Sequence, residues 1–230
     1  MATAEFVHLH GHSEYSLLDG GCHIGQMAGA AAEYGMPALA VTDHGDLFGS
    51  IAHYRTCEKA GIKPIIGCEV YVAIGSRHDR AAARGLQHAS NHLILLAKND
   101  TGWRNLTKLV SKGYTEGFYY NPRIDKDLLR EFGEGLVCMS ACVSGEVAHL
   151  IQKDGLAAAE EAARQYMDIF GDDYYLEIQR HGIDIEAKVN DGLLKLHKKL
   201  GVPLVATNDF HFLHADDHAA HDALICIQTG

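Results

Sequence analysis

About seven short apolar runs, each followed by a stretch of helical pattern, limit how this chain of 230 residues can fold. Strands that alternate with helices are joined by right-handed crossovers, and crossovers lay neighbouring strands parallel. Strands are predicted over residues 6–10, 38–42, 64–74, 92–97, 136–139, 174–179 and 203–207, the third being either one strand or two with a turn at Gly67. Helices are predicted over 24–34, about 47–59, near 103–113 and 145–152, and over 156–170 and 185–200. Gly35 with Pro37, Gly61 and Gly201 supply stops. Residues 75–90 read as a mobile surface loop and 116–127 as an irregular connection; no element is predicted beyond His211.

With this many strands and no interior linker or low-complexity run, the expectation is an α/β chain. It should form one domain over residues 1–230, as a closed or nearly closed β/α barrel rather than an open sheet. No apolar run is long enough to span a bilayer, and residues 1–7 lack the regions of a signal peptide, so a cytoplasmic protein with no membrane partner is expected. The six cysteines are scattered without a Cys-x-x-Cys pair, which argues against a disulfide framework or zinc ribbon. A formal net charge of −10 excludes a broad basic surface for nucleic acid, so an anionic substrate must be held locally.

The chemistry-bearing residues gather around the predicted strands. His8, His10 and His12 alternate, a spacing that in a strand puts side chains on one side, and Asp19 follows. Further along come Asp43-His44, Glu69, His92, Cys142, and Asp209 with His211. Each has a duller explanation by itself: a turn at Asp43-His44-Gly45, half of a salt bridge at Glu69, a strand end at His92, a buried thiol at Cys142. Together they place imidazoles, carboxylates and a thiol at or near the carboxyl ends of strands, where barrel enzymes build their sites. That is more ligand than one tetrahedral zinc takes, and a multinuclear metal site is the better account. Strand periodicity allows either pair of the three alternating histidines.

Five segments carry a resemblance: Leu9-His10-Gly11-His12-Ser13-Glu14-Tyr15-Ser16-Leu17-Leu18-Asp19, Thr42-Asp43-His44-Gly45, Ile65-Ile66-Gly67-Cys68-Glu69, Asn121-Pro122-Arg123-Ile124-Asp125 and Ala206-Thr207-Asn208-Asp209-Phe210-His211. In type and order they resemble the PHP (polymerase and histidinol phosphatase) domain, most closely the N-terminal PHP domain of bacterial DNA polymerase III alpha subunits. The resemblance implies a distorted seven-stranded β/α barrel holding three divalent metals at the carboxyl ends of its strands. Zinc suits the mixed N, O and S donors best, with manganese or iron as alternatives.

Carried over by residue, the resemblance gives His10, His12, Glu69 and Asp209 to one ion. Asp19, His44 and His211 hold a second, and His92 and Cys142 a third that shares Glu69. Asp19, Glu69, Asp209 and His44 are the catalytic candidates, and His8 is left to packing or to supporting the ligands from behind. Asp43, His181 and Arg123 are candidates for substrate contact, with a structural role as the alternative for each.

Asp19, Glu69, Asp209 and a Cys142 thiolate bring four negative charges against six positive ones on three divalent ions. The excess of two gives an acidic chain one local positive spot for a phosphoester. The implied activity is 3′ to 5′ exonuclease action on a single-stranded or frayed primer end, with a proofreading role. The implied partners are the rest of a longer polymerase subunit and replisome proteins. A phosphomonoesterase of the histidinol phosphatase type and a metal-stabilised structural module of a replicase are the alternatives.

Overall fold

The computed structural model describes residues 6–17, 19–80 and 90–229. In chain order the elements are α1 (Ile24–Glu33), β1 (Ala38–Val41), α2 (Ser50–Ala60), β2 (Lys63–Ala73), β3 (Ser90–Ala97), α3 (Asp100–Thr115), β4 (Phe118–Tyr119), β5 (Asn121–Ile124), α4 (Lys126–Phe132), β6 (Leu136–Met139), α5 (Glu146–Lys153), α6 (Leu156–Phe170), β7 (Tyr174–Ile178), α7 (Asp184–Leu200), β8 (Leu204–Ala206) and α8 (His218–Thr229). The chain is α/β, as its alternating pattern predicts. It divides into two compact units, residues 1–68 with 208–230 and residues 69–207.

The first unit is built on β1, a four-residue strand buried throughout, which lies parallel to the start of β2 with Ala38 opposite Lys63 and Val41 opposite Ile66. Helix α1 turns Ile24, Met27, Ala28 and Ala31 inward against Leu39, Cys57 and Ile62, the spacing of a helix with one buried stripe. Both α1 and α2 end at glycines with positive φ, Gly35 at 71° and Gly61 at 75°, where a side chain would be strained.

The expected strand at 6–10 is an extended segment without a regular ladder. Ala40 N donates to His8 O at 2.9 Å and Thr42 N to Gly11 O at 3.0 Å, so acceptors three residues apart face donors two apart. That mismatch is one extra residue on the outer segment, the arrangement of a bulge. From Gly11 onward the segment also pairs on its other side: Gly11 bridges Phe210, and His12 N donates to Phe210 O at 2.9 Å.

In the second unit the strands run in the order β4-β5-β2-β3-β6-β7-β8. Pairs β2 with β5, β6 with β7 and β7 with β8 are parallel, but β3 with β6 and β4 with β5 are antiparallel, which corrects the expectation of an all-parallel sheet. Parallel neighbours need a helical crossover. Among the described residues the connection before β3 contains no helix. Residues 81–89 of the predicted 75–90 loop lie outside the described residues. The expected irregular connection at 116–127 contains the β4–β5 hairpin, with Tyr120 at its tip at φ 60°. The stretch predicted at 64–74 is one strand, Lys63–Ala73, with Gly67 inside it, and α8, unpredicted, follows a short 3-10 turn at Ala215–Asp217.

Leu93, Ile94, Leu95, Leu106, Leu109 and Leu136 are almost fully buried in this unit. Helix α3 is capped by the Asn99 side chain, which accepts from Gly102 N at 3.0 Å. At Gly102 an added Cβ would come within 1.8 Å of Gly135 O, a backbone atom that cannot move aside. Gly29 lies inside α1 with nothing within 4 Å of an added Cβ. Gly102→Ala is therefore expected to destabilise the protein by about 2 kcal/mol or more. Gly29→Ala should stabilise it by roughly 0.5–1 kcal/mol through helix propensity. Urea titration of both variants checks the pair; equal effects would contradict the placement of Gly102.

Candidate metal centre

The first unit's donor residues stand on two loops that are bonded to each other. The Asp43 carboxylate accepts from Ser13 N at 2.6 Å, Ser13 Oγ at 2.8 Å and Ser16 Oγ at 3.1 Å. His44 N donates to Ser16 Oγ at 3.1 Å, and Gly11 and Thr42 exchange two bonds at 3.0 and 3.1 Å. Asp43 is 3% exposed, so a buried carboxylate is stabilised by three donors while it fixes the loop that carries Asp19. This is a positioning role, and it accounts for the Asp43 side chain without a substrate.

His10 and His12 are fully buried, and the Nε2 atoms of both converge on Asp209 Oδ1, at 3.1 and 3.2 Å. The rings of His12, His44 and His211 cluster in a triangle, with centroids 4.1 Å (His12–His44), 4.3 Å (His12–His211) and 5.8 Å (His44–His211) apart. His44 Nε2 lies 3.2 Å from Asp19 Oδ2. Ligand atoms of His12, His44 and His211 all lie within 4.8 Å of one another. Asp209 has φ 45°, a left-handed conformation that is uncommon for a side-chain-bearing residue and recurs at functional sites.

Hydrogen-bond partners fix two ring tautomers. His211 Nδ1 is 3.0 Å from Asp209 O, and a carbonyl only accepts, so Nδ1 carries the proton and Nε2 a lone pair. Ser16 Oγ gives its hydrogen to Asp43, so at 2.9 Å it accepts from His12 Nδ1. In the neutral ring His12 Nε2 then also presents a lone pair, and it faces a carboxylate oxygen at 3.2 Å. Two electron-rich atoms at that distance repel unless a proton or a metal cation lies between them. Ligands about 2.1 Å from one ion lie roughly 3.0–3.4 Å apart, which is the separation seen here. Asp19 Oδ1 is buried with no hydrogen-bond partner, a second acceptor of the same kind. The donor set fits a divalent transition metal.

The second unit carries Glu69 in the middle of β2, His92 near the start of β3 and Cys142 just past β6. Glu69 is 1% exposed, its Oε1 lies 2.5 Å from His92 Nδ1, and Cys142 Sγ lies 4.0 Å from the same nitrogen. The expectation that every ligand follows the carboxyl end of its strand is corrected for Glu69 and His92. Because β3 runs antiparallel to β6, its amino end lies beside the carboxyl end of β6, where His92 bridges Gly145. Chain reversal thus brings His92 to Cys142 as a crossover would not.

The remaining candidates are engaged elsewhere. Arg123 is 1% exposed and donates to Gly117 O at 3.1 Å, Arg77 O at 3.0 Å and Asp79 O at 3.4 Å, which pins the hairpin rather than presenting a cation to solvent. His181 binds Glu186 through its backbone N at 2.7 Å and Nδ1 at 2.6 Å, closing the turn before α7. His8 packs edge-on against Phe6 and Phe210 and lines an apolar hollow of about 230 Å³ with Met27, Tyr34 and Leu39. Ser13, Ser16 and Thr42 are polar residues of the site that sequence reasoning did not single out; only their places inside the matched motifs marked them.

The chain belongs to the PHP domain family, whose model matches residues 8–181. It is similar to DNA polymerase III subunit alpha of Treponema pallidum, 48% identical over 230 residues, covering 100% of this chain and 20% of that protein. The Thermus aquaticus protein of the same name is 44% identical over 227 residues, covering 98% of this chain and 19% of its own length. The chain thus spans about a fifth of the curated relatives it matches. Among solved structures, an amidohydrolase from Chromobacterium violaceum superposes with a TM-score of 0.51 at 14% identity, covering 95% of this chain and 96% of the other. A two-domain protein from Bacteroides vulgatus, containing a predicted PHP-like metal-dependent phosphoesterase, gives 0.51 at 16% identity over 89% of this chain and 51% of the other. The fold is that of the PHP-like phosphoesterases.

Burial first, then repulsion from His12, pushes His211 down to about 4 against the pull of Asp209. Burial also lowers His53 and His8. The unfolded chain protonates these groups first, so the stability they confer is complete above pH 6.5 and falls as pH drops toward 4. Asp46, raised by burial to about 6, acts in the opposite sense, favouring the fold at low pH and losing that effect as pH rises through 6. Three groups outweigh one. The melting temperature of metal-free protein should fall between pH 7 and pH 5, and His211→Gln should flatten the fall; a rise on acidification would contradict burial of neutral imidazoles. Ser16→Ala removes the acceptor that sets the His12 tautomer, and should weaken metal binding by about 10–100-fold in chelator competition, with the fold retained.

Proposed function

We propose that this chain is the PHP domain of a bacterial replicative polymerase and that it hydrolyses DNA phosphodiesters from the 3′ end, using a trinuclear metal centre. The observation that carries the reading is the convergence of His10 and His12 Nε2 on Asp209 Oδ1, at 3.1 and 3.2 Å, with Asp19 Oδ1 buried and without a hydrogen-bond partner, a donor set that fits divalent cations. The relatives named as polymerase alpha subunits make DNA the substrate of choice. His10, His12, Glu69 and Asp209, then Asp19, His44 and His211, then His92 and Cys142 with Glu69, would hold the three ions as the family resemblance assigns them. Zinc is favoured, with manganese or iron as alternatives. When bound, such ions supply Lewis acidity toward phosphoryl oxygens and acidify water, so no protein nucleophile is needed.

The chain's own residues do the rest. Asp43 and Ser16 hold His12 in the tautomer that presents Nε2. The His44 hydrogen bond and charge keep the Asp19 carboxyl below its usual range although burial works to raise it, so Asp19 is ionised at neutral pH. The further partners are the remainder of the polymerase subunit and other replisome proteins, in the cytoplasm. No helix among the described residues is long and apolar enough to cross a membrane.

The test is to incubate protein of measured metal content with 3′-labelled and 5′-labelled single-stranded DNA and with a generic phosphomonoester. Shortening from the 3′ end supports the exonuclease; monoester turnover alone points to a phosphatase, and neither activity in metallated protein to a structural module. As a bridging ligand, Glu69 should on change to Gln lose close to two metal equivalents and nearly all hydrolysis. Asp19→Asn, whose ion keeps His44 and His211, should lose about one and recover in part with added manganese. Equal metal loss in the two folded variants would falsify the bridging role.

A further inference from the structure

Helix α2 faces the wrong way for its composition. Its buried positions are Ser50, His53 and Cys57, small or polar, while Ile51 and Tyr54 are 58% and 46% exposed. Phe48, just before the helix, is 63% exposed, and its backbone N is held by Asp46 Oδ1 at 2.9 Å. The result is a row of three large apolar side chains at three-residue intervals, beginning four residues beyond His44. At 100° per residue, Tyr54 falls on one edge of the exposed face and Arg55 and Lys59 on the other, with Ile51 and Glu58 between.

Arg55 and Lys59 are exposed and have no ion-pair partner among the described residues. They stand at i and i+4, where like charges repel. Glu58, also exposed, lies between them in sequence. In a chain of net charge −10, this face keeps one positive charge in excess. An apolar and aromatic edge beside a cationic edge matches a single nucleic-acid strand, whose bases stack on one side and whose phosphates lie on the other. A protein partner would need the apolar row but not the unpaired cations.

We propose that the face of α2 formed by Phe48, Ile51, Tyr54, Arg55 and Lys59 is the track that holds single-stranded DNA leading to the His44 loop. The proposal rests on DNA being the substrate. The first nucleotides inward of the 3′ end stack on Phe48 and Tyr54, while Arg55 and Lys59 each neutralise one phosphate.

The test is fluorescence anisotropy of the 230-residue chain with a labelled oligothymidine, at salt concentrations low enough to see weak binding, alongside 5-iodouracil photocrosslinking mapped by mass spectrometry. Phe48→Ala and Tyr54→Ala should each weaken binding about 10-fold. Arg55→Ala with Lys59→Ala should lower the slope of log K against log salt by about 1.4, two cations at roughly 0.7 each. Crosslinks should fall on Phe48 or Tyr54. Melting temperature and metal content should be unchanged in all variants. DNA binding and hydrolysis equal to the unaltered chain's would overturn the track and leave the exonuclease reading intact. No binding or hydrolysis of DNA by the metallated unaltered chain would overturn both. Self-association lost in Phe48→Ala, with DNA binding unaffected, would make this face a protein interface and also overturn the proposal.

Discussion

The structure of the first unit depends on one buried carboxylate. Asp43 has almost no contact with water, and a backbone N–H and two hydroxyls point at its carboxylate. Removing any of those donors would leave a buried carboxylate oxygen undersatisfied, so the loops at 11–19 and 42–46 cannot drift apart cheaply. The same bonds orient Ser16, Ser16 orients His12, and His12 meets Asp209. Loop order, ring tautomer and ligand geometry are thus consequences of a single desolvated group and not three separate designs.

Most of the elements could be read from the chain because burial imposes period. The helix at Leu156–Phe170 and the strand at Leu136–Met139 coincide with their sequence patterns, since each places apolar residues on one face or in one short run between clear stops. The segment at 6–10 did not become a strand because its extra residue is a property of pairing with β1, which no local pattern encodes. The hairpin at 118–124 was hidden for a related reason: Tyr120 takes a positive φ without being glycine, so the usual turn signal is absent. Helix α8 is alanine-rich and mostly exposed, and exposure removes the periodicity that would have announced it.

The donor residues themselves were legible by type, since histidines and carboxylates recur at the ends of apolar runs. Their mutual arrangement was less so. A rule built on parallel strands puts His92 at the wrong end of β3, and only the antiparallel pairing with β6 explains why it lies beside Cys142. Arg123 shows the converse. A cation inside a matched motif suggests an anion, but its donors are directed at carbonyl oxygens of its own unit, so the residue type misled where its surroundings decide.

The first unit is assembled from residues 1–68 and 208–230, with 139 residues of the second unit between them in the chain. On a ribosome adding roughly 5–20 residues per second, His10 and His12 emerge on the order of ten seconds before Asp209 can reach them. During that interval the alternating histidines are part of an incomplete nascent chain with no carboxylate opposite. Assembly of the His10, His12 and Asp209 cluster is therefore a late event in biogenesis, coupled to the return of residues 208–230. A pause or truncation before residue 208 would leave a product that has its second unit but no means of closing its first.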